Sequence, residues 1–284
     1  MSANFILIAS YPKSGNTWTR IVLEKLRRGI DTAFSINDLD AKLHGILRRL
    51  AFDSFAPVNA ADLLTEEMEV FLPDIYRLAA REIEGTVLVK VHDAARRNLS
   101  GEWLYPPDCM PTVLYLARHP FDVATSTAHH LDVSLETAVE IMADDGSTRA
   151  PHTHMSESLP QTFGSWSGNV ESWLGNDSYR VTVARYEDLC SDPTGNFLRL
   201  AQAAGMDVSA ADVGAAVNSA TFSELQSEEQ RLGFRERPET SSRFFRVGRP
   251  GTWHGILNEE LRDRIARVHA HAMGLLGYAA DGSF

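Results

Sequence analysis

The sequence predicts an α/β fold, a single domain over residues 1–284 in which helices flank a central, mainly parallel sheet. Short apolar runs rich in Val, Leu, Ile and Tyr recur along the chain, and segments with apolar residues at helical spacing separate them. The first run leads directly into a loop and a helix start, which is the order of a P-loop-like strand–loop–helix unit. These observations together favour a parallel sheet with crossover helices.

The predicted strands are each too short for a helix, and their composition indicates burial between two layers. They are Phe5–Ala9, Thr86–Val91, Thr112–Ala117 and Tyr179–Ala184. The predicted helices share an apolar period near 3.6 residues. They are Thr17–Arg28, Ile36–Leu50, Glu66–Ile83, Phe121–His130, Thr194–Ala204 and a final amphipathic helix, Glu259–Leu276.

Two segments interrupt this pattern. Pro73 lies inside the third predicted helix and is expected to kink or divide it, because proline lacks a backbone donor. Residues 144–160 are rich in Asp, Gly, Ser, Thr, His and Pro without any period, which predicts a long loop. His152-Thr153-His154 lies within that loop, but no third ligand stands at a sensible spacing, so we expect no metal there.

Composition limits the partners and the location. The net charge of -11 over 284 residues argues against a broad footprint for nucleic acid, so any anion site must be local. Cys109 and Cys190 lie far apart and predict neither a disulfide framework nor a zinc site. No stretch reaches the ~20 apolar residues of a membrane span, and the N-terminus lacks a signal-peptide pattern. We expect a cytoplasmic protein without membrane contact.

The most specific motif is Tyr11–Trp18, which reads Tyr-Pro-Lys-Ser-Gly-Asn-Thr-Trp directly behind the first strand. Loop amides and a helix N-terminus converge in such a unit, and Lys13 adds a full positive charge, so we expect an anion there. The Gly-Lys-Ser/Thr of the general phosphate loop is absent. The string resembles instead the 5′-phosphosulfate loop of sulfotransferases that use 3′-phosphoadenosine 5′-phosphosulfate (PAPS). The resemblance assigns donor binding to Lys13, Ser14, Gly15, Asn16, Thr17 and Trp18.

The second motif is Lys90 and His92 at the end of the second strand. Alternate residues of a strand share a face, so both side chains are expected at one site on the carboxyl edge of the sheet. A lysine in an apolar strand needs an anionic partner, and a bound phosphosulfate would supply one. The matching Lys-x-His of sulfotransferases implies that His92 is the catalytic base and that Lys90 neutralises the transferring group. A strand end with both residues solvated is the alternative.

The third motif runs from Leu114 through Arg118 to Ser126. An arginine at a strand end and a serine about two turns into the next helix can close on a phosphate. The segment resembles the 3′-phosphate segment of the same family, which implies that role for Arg118 and Ser126. An ion pair between Arg118 and Asp122 is the alternative reading.

The fourth motif is Arg243–Trp253, with two glycines three residues apart among arginines. It resembles the family's Arg-Lys-Gly-x-x-Gly-x-Trp segment, which also contacts the 3′-phosphate. Arg246, Gly248, Gly251 and Trp253 match that pattern, whereas Val247 stands where lysine is usual. Arg249 is the candidate replacement for the missing lysine.

Weaker matches concern the adenine. Tyr186 follows the fourth strand as in the family, Phe222 occupies the aromatic position of its Thr-x-Phe segment, and Trp18 would complete an aromatic base pocket. The Phe163–Trp173 stretch resembles the family's Trp-x-x-His-Val-x-x-Trp helix, with Asn169 at the histidine. We interpret that helix as packing.

The resemblance implies in-line transfer of a sulfuryl group from PAPS to an acceptor hydroxyl, which leaves adenosine 3′,5′-bisphosphate (PAP) and needs no metal. We expect the acceptor to be a small molecule or a glycan. The resemblance also implies that Lys13 bonds Ser126 when no acceptor is bound, which limits wasteful PAPS hydrolysis. Two alternatives stay open: a nucleotide kinase or NTPase, disfavoured by the missing Gly-Lys-Ser/Thr, and a noncatalytic nucleotide-binding module. Neither the acceptor nor the oligomeric state is indicated.

Overall fold

The computed structural model describes residues 4–40, 49–149, 159–237 and 242–284. At its centre lies a four-stranded sheet with the order β2-β1-β3-β6, and every neighbouring pair is parallel. Its strands are β1 Asn4–Ser10, β2 Thr86–Val91, β3 Thr112–Ala117 and β6 Arg180–Arg185. Two short strands, β4 Thr148–Arg149 and β5 Gln161–Thr162, form a separate antiparallel pair.

The helices connect and cover the strands. In chain order they are α1 Asn16–Arg28, α2 Arg49–Phe55, α3 Thr65–Glu82, α4 Pro120–Leu131, α5 Leu135–Ala143, α6 Trp166–Leu174, α7 Tyr186–Ser191, α8 Pro193–Ala203, α9 Ala210–Asn218, α10 Phe222–Leu232, α11 Glu259–Val268 and α12 Ala270–Leu276. Short 3₁₀ turns occupy Ile36–Asp40 and Ala60–Asp62.

The sheet separates two apolar layers, as the alternation of side chains along a strand requires. In β1, Phe5 and Leu7 pack into one layer with residues of α3, α6 and α12, whereas Ile6 and Ile8 pack into the other with α1, α8 and α9. All four of these side chains are at most 1% exposed. Burial on both faces explains why the strand is continuously apolar.

The strand order places the carboxyl end of β1 at the functional edge of the sheet. β2 lies on one side of β1 and β3 on the other, so the connections leave β1 in opposite directions. A crevice forms at such a switch point, outside the carboxyl ends of the strands. The sequence motifs after β1, β2 and β3 therefore converge there.

The predicted α/β class and parallel sheet are confirmed, and all four predicted strands lie within one residue of their observed ends. The helix predicted over Ile36–Leu50 differs: it begins as a 3₁₀ turn, α2 starts only at Arg49, and residues 41–48 lie outside the described part. The loop predicted over 144–160 includes the two-residue strand β4. Residues 150–158, with His152-Thr153-His154, are not described.

Pro73 does not divide its helix, because α3 runs unbroken from Thr65 to Glu82. A proline at position 73 leaves the carbonyl of Glu69, four residues earlier, without its usual helical donor. The side-chain amide of Asn98 donates to that carbonyl at 3.1 Å. A loop residue therefore supplies the hydrogen bond that the helix lacks.

The single helix expected over Glu259–Leu276 is two helices, which meet at His269. The His269 ring is 1% exposed and packs edge-on against Trp166, with ring centroids 5.4 Å apart, and its Nδ1 bonds the Ser167 hydroxyl. The ring therefore docks against α6 at the break between α11 and α12. Burial lowers the pKa of His269 from 6.5 to about 4, although the charge of Asp145 opposes this shift.

His269 should make stability pH-dependent. Because the pKa of His269 is lower in the folded state, the unfolded chain binds the proton more tightly. The contribution of the neutral ring to the free energy of unfolding is therefore complete above pH 6.5, and it is lost as the pH falls toward 4. Between pH 7.5 and pH 5 we expect a loss of about 2 kcal/mol of unfolding free energy from this group. In His269→Gln the pH dependence, measured by urea unfolding, should shrink by that amount. An unchanged dependence would show that the ring is not held neutral.

Candidate active site

The loop after β1 forms a cradle for an anion. Lys13 has φ 74° and Gly15 has φ 92°, both in the left-handed region, and α1 begins at Asn16 immediately behind them. Such a turn followed by a helix start directs backbone N–H groups toward one point. Ser14 is fully buried, and its hydroxyl finds no hydrogen-bond partner among the described residues. A buried hydroxyl without a partner in such a loop fits a loop that binds an anion.

Gly15 is required by a close approach. A Cβ at this position would lie 2.7 Å from Cδ2 of Tyr186, so the Tyr186 ring covers the back of the loop. Asn16 fixes the opposite side, since its Nδ2 donates to Ile8 O at 2.9 Å and to Ser10 Oγ at 3.1 Å. The loop is therefore held by side chains from both directions.

His92 lies beside this loop because β2 runs in register with β1, with Ile8 opposite Lys90. His92 is 8% exposed, and its Nδ1 is 2.9 Å from Ser10 O and 3.2 Å from Ser10 Oγ. A carbonyl oxygen only accepts, so this bond assigns the proton of the neutral ring to Nδ1. Nε2 is then the nitrogen with the lone pair.

Lys90 has a protein carboxylate as a partner. Its Nζ is 3.2 Å from Oε2 of Glu236, and the same oxygen is 3.4 Å from Oγ1 of Thr17 at the start of α1. The sequence predicted an anionic partner for this lysine and named a bound phosphosulfate, so Glu236 is a partner that the sequence did not predict. Because one oxygen contacts both Lys90 and Thr17, the strand end and the donor loop face a single space.

Arg118 links the first motif to the last. It follows β3, and its guanidinium donates to Lys13 O and to Arg249 O, each at 3.3 Å. Its Cζ lies 4.5 Å from the centroid of Tyr186. The alternative, an ion pair between Arg118 and Asp122, is present at 3.7 Å. Ser126 is half-buried on α4, two turns farther along the chain.

Asp122 organises the C-terminal motif. It is 1% exposed and accepts hydrogen bonds from Gly251 N at 2.7 Å, Thr252 Oγ1 at 2.7 Å and Trp253 N at 3.2 Å. The segment that carries Arg246, Gly248 and Arg249 is thereby attached to the start of α4. Three of the four sequence motifs thus meet around Arg118.

The basic groups concentrate where the motifs meet. Partial burial, followed by the charges of Arg246 and Lys13, lowers the pKa of His129 on α4. Lys13 also lies over the ring of Phe244, with Nζ 5.2 Å from its centroid. The cationic side chains of Lys13 and Arg246 therefore act on His129 together, in a protein of net charge -11.

The three aromatic candidates lie in one neighbourhood. Trp18 donates from Nε1 to Ala220 O at 2.9 Å and contacts Tyr186 edge-on, with centroids 6.3 Å apart. Phe222 packs against Gly248 so closely that a Cβ there would lie 2.0 Å from its Cδ2, and Gly248 has φ 68°. The hydrogen bond to the Ala220 carbonyl thus links Trp18 to the segment that carries Phe222.

The α6 helix contributes more than packing. Trp166, Val170 and Trp173 are buried as expected, but Asn169 donates from Nδ2 to His92 O at 3.0 Å and accepts from Tyr115 OH at 2.9 Å. Asn169 is fully buried. An isolated amide on an apolar helix face was the sequence signal for this contact. The Asn169 amide holds the backbone of His92.

Asp93 was also missed by the sequence motifs. It is 2% exposed and accepts from Tyr105 OH and from Thr162 N, both at 2.7 Å. Burial raises the pKa of Asp93 from 3.8 to about 6, although these hydrogen bonds act in the opposite direction. The residue after His92 thus connects β5 and the loop before β3 to the site.

Neither a metal site nor a membrane span stands out in the parts of the chain that the structure describes. Within those parts, no cluster of three or more His, Cys, Asp or Glu side chains could hold a metal ion. Over the same residues, no helix is both long enough and apolar enough to cross a bilayer.

A histidine fixed beside an anion cradle, at the carboxyl edge of a parallel sheet, is an arrangement suited to enzymes that transfer a charged group from a nucleotide donor. The family model of the sulfotransferase domain matches residues 4–277. The chain therefore belongs to the sulfotransferase family and is a PAPS-dependent sulfotransferase, as its motifs predicted.

Curated relatives are distant in sequence but match over most of the chain. The luciferin sulfotransferase of Photinus pyralis is 24% identical over 269 residues, covering 90% of this chain and 68% of that protein. The flavonol 3-sulfotransferase of Flaveria bidentis is 24% identical over 303 residues, covering 96% and 83%. A solved structure of retinol dehydratase, in complex with androsterone and PAP, has the same fold with a TM-score of 0.56 at 19% identity, covering 95% of this chain and 80% of that one.

Gly248→Ala should weaken nucleotide binding without unfolding the protein. The new Cβ would force the Phe222 ring or the loop to move, because it would lie 2.0 Å from Cδ2 of Phe222. Displacement of the loop should lower PAP affinity roughly 10-fold. Calorimetric titration with PAP measures it. Gly214→Ala is the matched control, because a Cβ there meets nothing within 4 Å. Equal affinities in both variants would remove Gly248 from the donor site.

Proposed function

We propose that this enzyme transfers the sulfuryl group of PAPS to a hydroxyl of a small organic molecule or a glycan by in-line displacement, with His92 as the general base. The observation that carries the proposal is the position of His92: its Nδ1 bonds Ser10 O, at the end of the strand that leads into the Lys13 loop. The base and the donor loop are therefore held by the same few residues.

The residues of the loop fit the sulfated end of the donor. The backbone amides of Ser14, Asn16 and Thr17, with the Lys13 ammonium, would bind the 5′-phosphate. The buried Ser14 hydroxyl, which lacks a partner among the described residues, supports this assignment. Lys13 would stabilise the negative charge that develops on the leaving phosphate oxygen.

A second group of residues fits the other end of the nucleotide. Arg118, Ser126, Arg246, Gly248 and Arg249 would hold the 3′-phosphate, and the contacts of the Arg118 guanidinium with Lys13 O and Arg249 O support this assignment. Trp18, Tyr186 and Phe222 would enclose the adenine. Arg249, whose carbonyl bonds Arg118, would stand in for the lysine that Val247 replaces.

When bound, PAPS supplies an activated sulfuryl group. His92 would accept the acceptor's hydroxyl proton at Nε2, because its Nδ1–H is engaged by Ser10 O. Asn169 keeps the backbone of His92 in place through the carbonyl of that residue. Lys90 would offset charge on the transferring group, so positioning and electrostatics supply most of the catalysis.

The acceptor is assigned only as a class. The relatives carry names of small organic acceptors, luciferin and flavonol, which supports a small molecule here as well. A panel of phenols, aliphatic alcohols and glycans, each tested with labelled PAPS, would identify the hydroxyl that is used.

We also place the enzyme in the cytoplasm, since Cys109 and Cys190 are both free thiols.

His92→Ala should abolish transfer while PAP still binds. Removal of a general base lowers turnover by roughly 10²-fold to 10⁴-fold, whereas the phosphate contacts are made by other residues. Product formation from labelled PAPS and calorimetry with PAP measure the two effects. The surface change His271→Ala is the control. Near-normal turnover in His92→Ala would refute the assignment.

Ser126→Ala should raise acceptor-independent hydrolysis of PAPS. If Ser126 bonds Lys13 when no acceptor is present, its loss releases the lysine to assist the leaving group with water as the acceptor. Sulfate release from labelled PAPS, measured without an acceptor, reports the rate. An unchanged background rate would count against this role.

A further inference from the structure

Glu236 and Arg20 stand at the centre of the site, yet no sequence motif includes them. Both carboxylate oxygens of Glu236 lie 2.7 Å from Nη2 of Arg20. One of those oxygens also contacts Lys90 and Thr17, at 3.2 Å and 3.4 Å. A protein carboxylate thus touches two of the groups that are assigned to the donor.

Burial shows which contact anchors the carboxylate. The side chain of Arg20 is 1% exposed, that of Glu236 15% and that of Lys90 21%. A guanidinium removed from water needs a counter-charge, so the Arg20 contact holds Glu236 in place. Lys90, the more exposed partner, is then oriented by a carboxylate that is already fixed.

The same arginine connects to the base. Arg20 donates from Nε to Asn16 Oδ1 at 2.9 Å, and Asn16 donates from Nδ2 to Ser10 Oγ at 3.1 Å. Ser10 in turn holds Nδ1 of His92. A continuous set of hydrogen bonds therefore runs from Lys90 through Glu236, Arg20 and Asn16 to His92.

We propose that Glu236 is a positioning residue that, anchored by Arg20, holds the Lys90 ammonium where the sulfuryl group is transferred. The inference rests on the proposed function, because it assigns Lys90 to that step. Glu236 should have two opposite effects: its negative charge repels the donor, while its hydrogen bond keeps Lys90 oriented for turnover. A carboxylate with a purely structural role would affect binding and turnover in the same direction.

Glu236→Gln separates these effects. The amide keeps the size of the side chain but loses the charge, and its nitrogen cannot accept from Lys90. We expect PAP to bind roughly threefold to tenfold tighter, because a negative charge beside a polyanion is removed. The kcat for transfer, with labelled PAPS and the best acceptor of the panel, should fall at least about tenfold. Loss of PAP affinity and of kcat together would overturn the inference.

A double-mutant cycle tests whether Glu236 acts through Lys90. In a Lys90→Met background, Glu236→Gln should lower kcat no further, since no ammonium is left to orient. Independent, additive losses would overturn the inference. Glu24→Gln is the matched control, because it removes another carboxylate of this region, paired with Arg27 and Arg28, and should change neither quantity.

A second variant covers the risk that Glu236→Gln does not fold around an unneutralised Arg20. Glu236→Asp keeps the counter-charge but is one methylene shorter, so it cannot reach Arg20 and Lys90 together. Its kcat should fall while its PAP affinity stays at the wild-type value; a wild-type kcat would overturn the inference. A wild-type enzyme without PAP affinity would instead disprove the proposed donor, which the same calorimetry reveals.

Discussion

The hydrogen bonds of the Asn16 side chain are the contacts on which the site depends. Its amide joins the start of α1 to the end of β1 through Ile8 O and Ser10 Oγ, and its carbonyl oxygen accepts from Arg20. The short loop between these elements is thereby held in a conformation with two left-handed residues, Lys13 and Gly15. Without this closure, the strained loop would lose both its shape and its alignment with His92.

Several positively charged side chains lie at the carboxyl edge of the sheet, although the molecule as a whole is acidic. Two carboxylates near the site accept hydrogen bonds from neighbouring elements. The buried Asp122 binds the Gly251–Trp253 backbone, and the partly buried Glu236 binds Arg20 and Lys90. These carboxylates shape the loops that present Lys13, Arg118 and Arg246. The acidic groups thus build the basic pocket, and the net charge of the chain says little about its ligand.

The sequence predicted the strands well because each is a short apolar run, buried on two faces in the central strands β1 and β3. It predicted the local motifs because their residues are contiguous. It failed where a contact joins distant positions. Glu236 contacts Arg20, which lies more than two hundred residues earlier in the chain, and Asn169 of α6 contacts the carbonyl of His92. Nothing in the local composition around Glu236 distinguishes it from a solvated glutamate. The break between α11 and α12 at His269 likewise involves a contact with the Trp166 ring of α6. The apolar periodicity of a single segment does not report such a contact.

The pairing of Pro73 with Asn98 has an evolutionary consequence. Because the Asn98 amide occupies the carbonyl that the proline leaves open, each residue makes the other tolerable. A lineage that replaced the proline would restore the helical donor and remove one of the contacts that select for the asparagine, whereas loss of the asparagine first would leave a buried acceptor unsatisfied. The two positions are therefore expected to change in a fixed order, proline before asparagine.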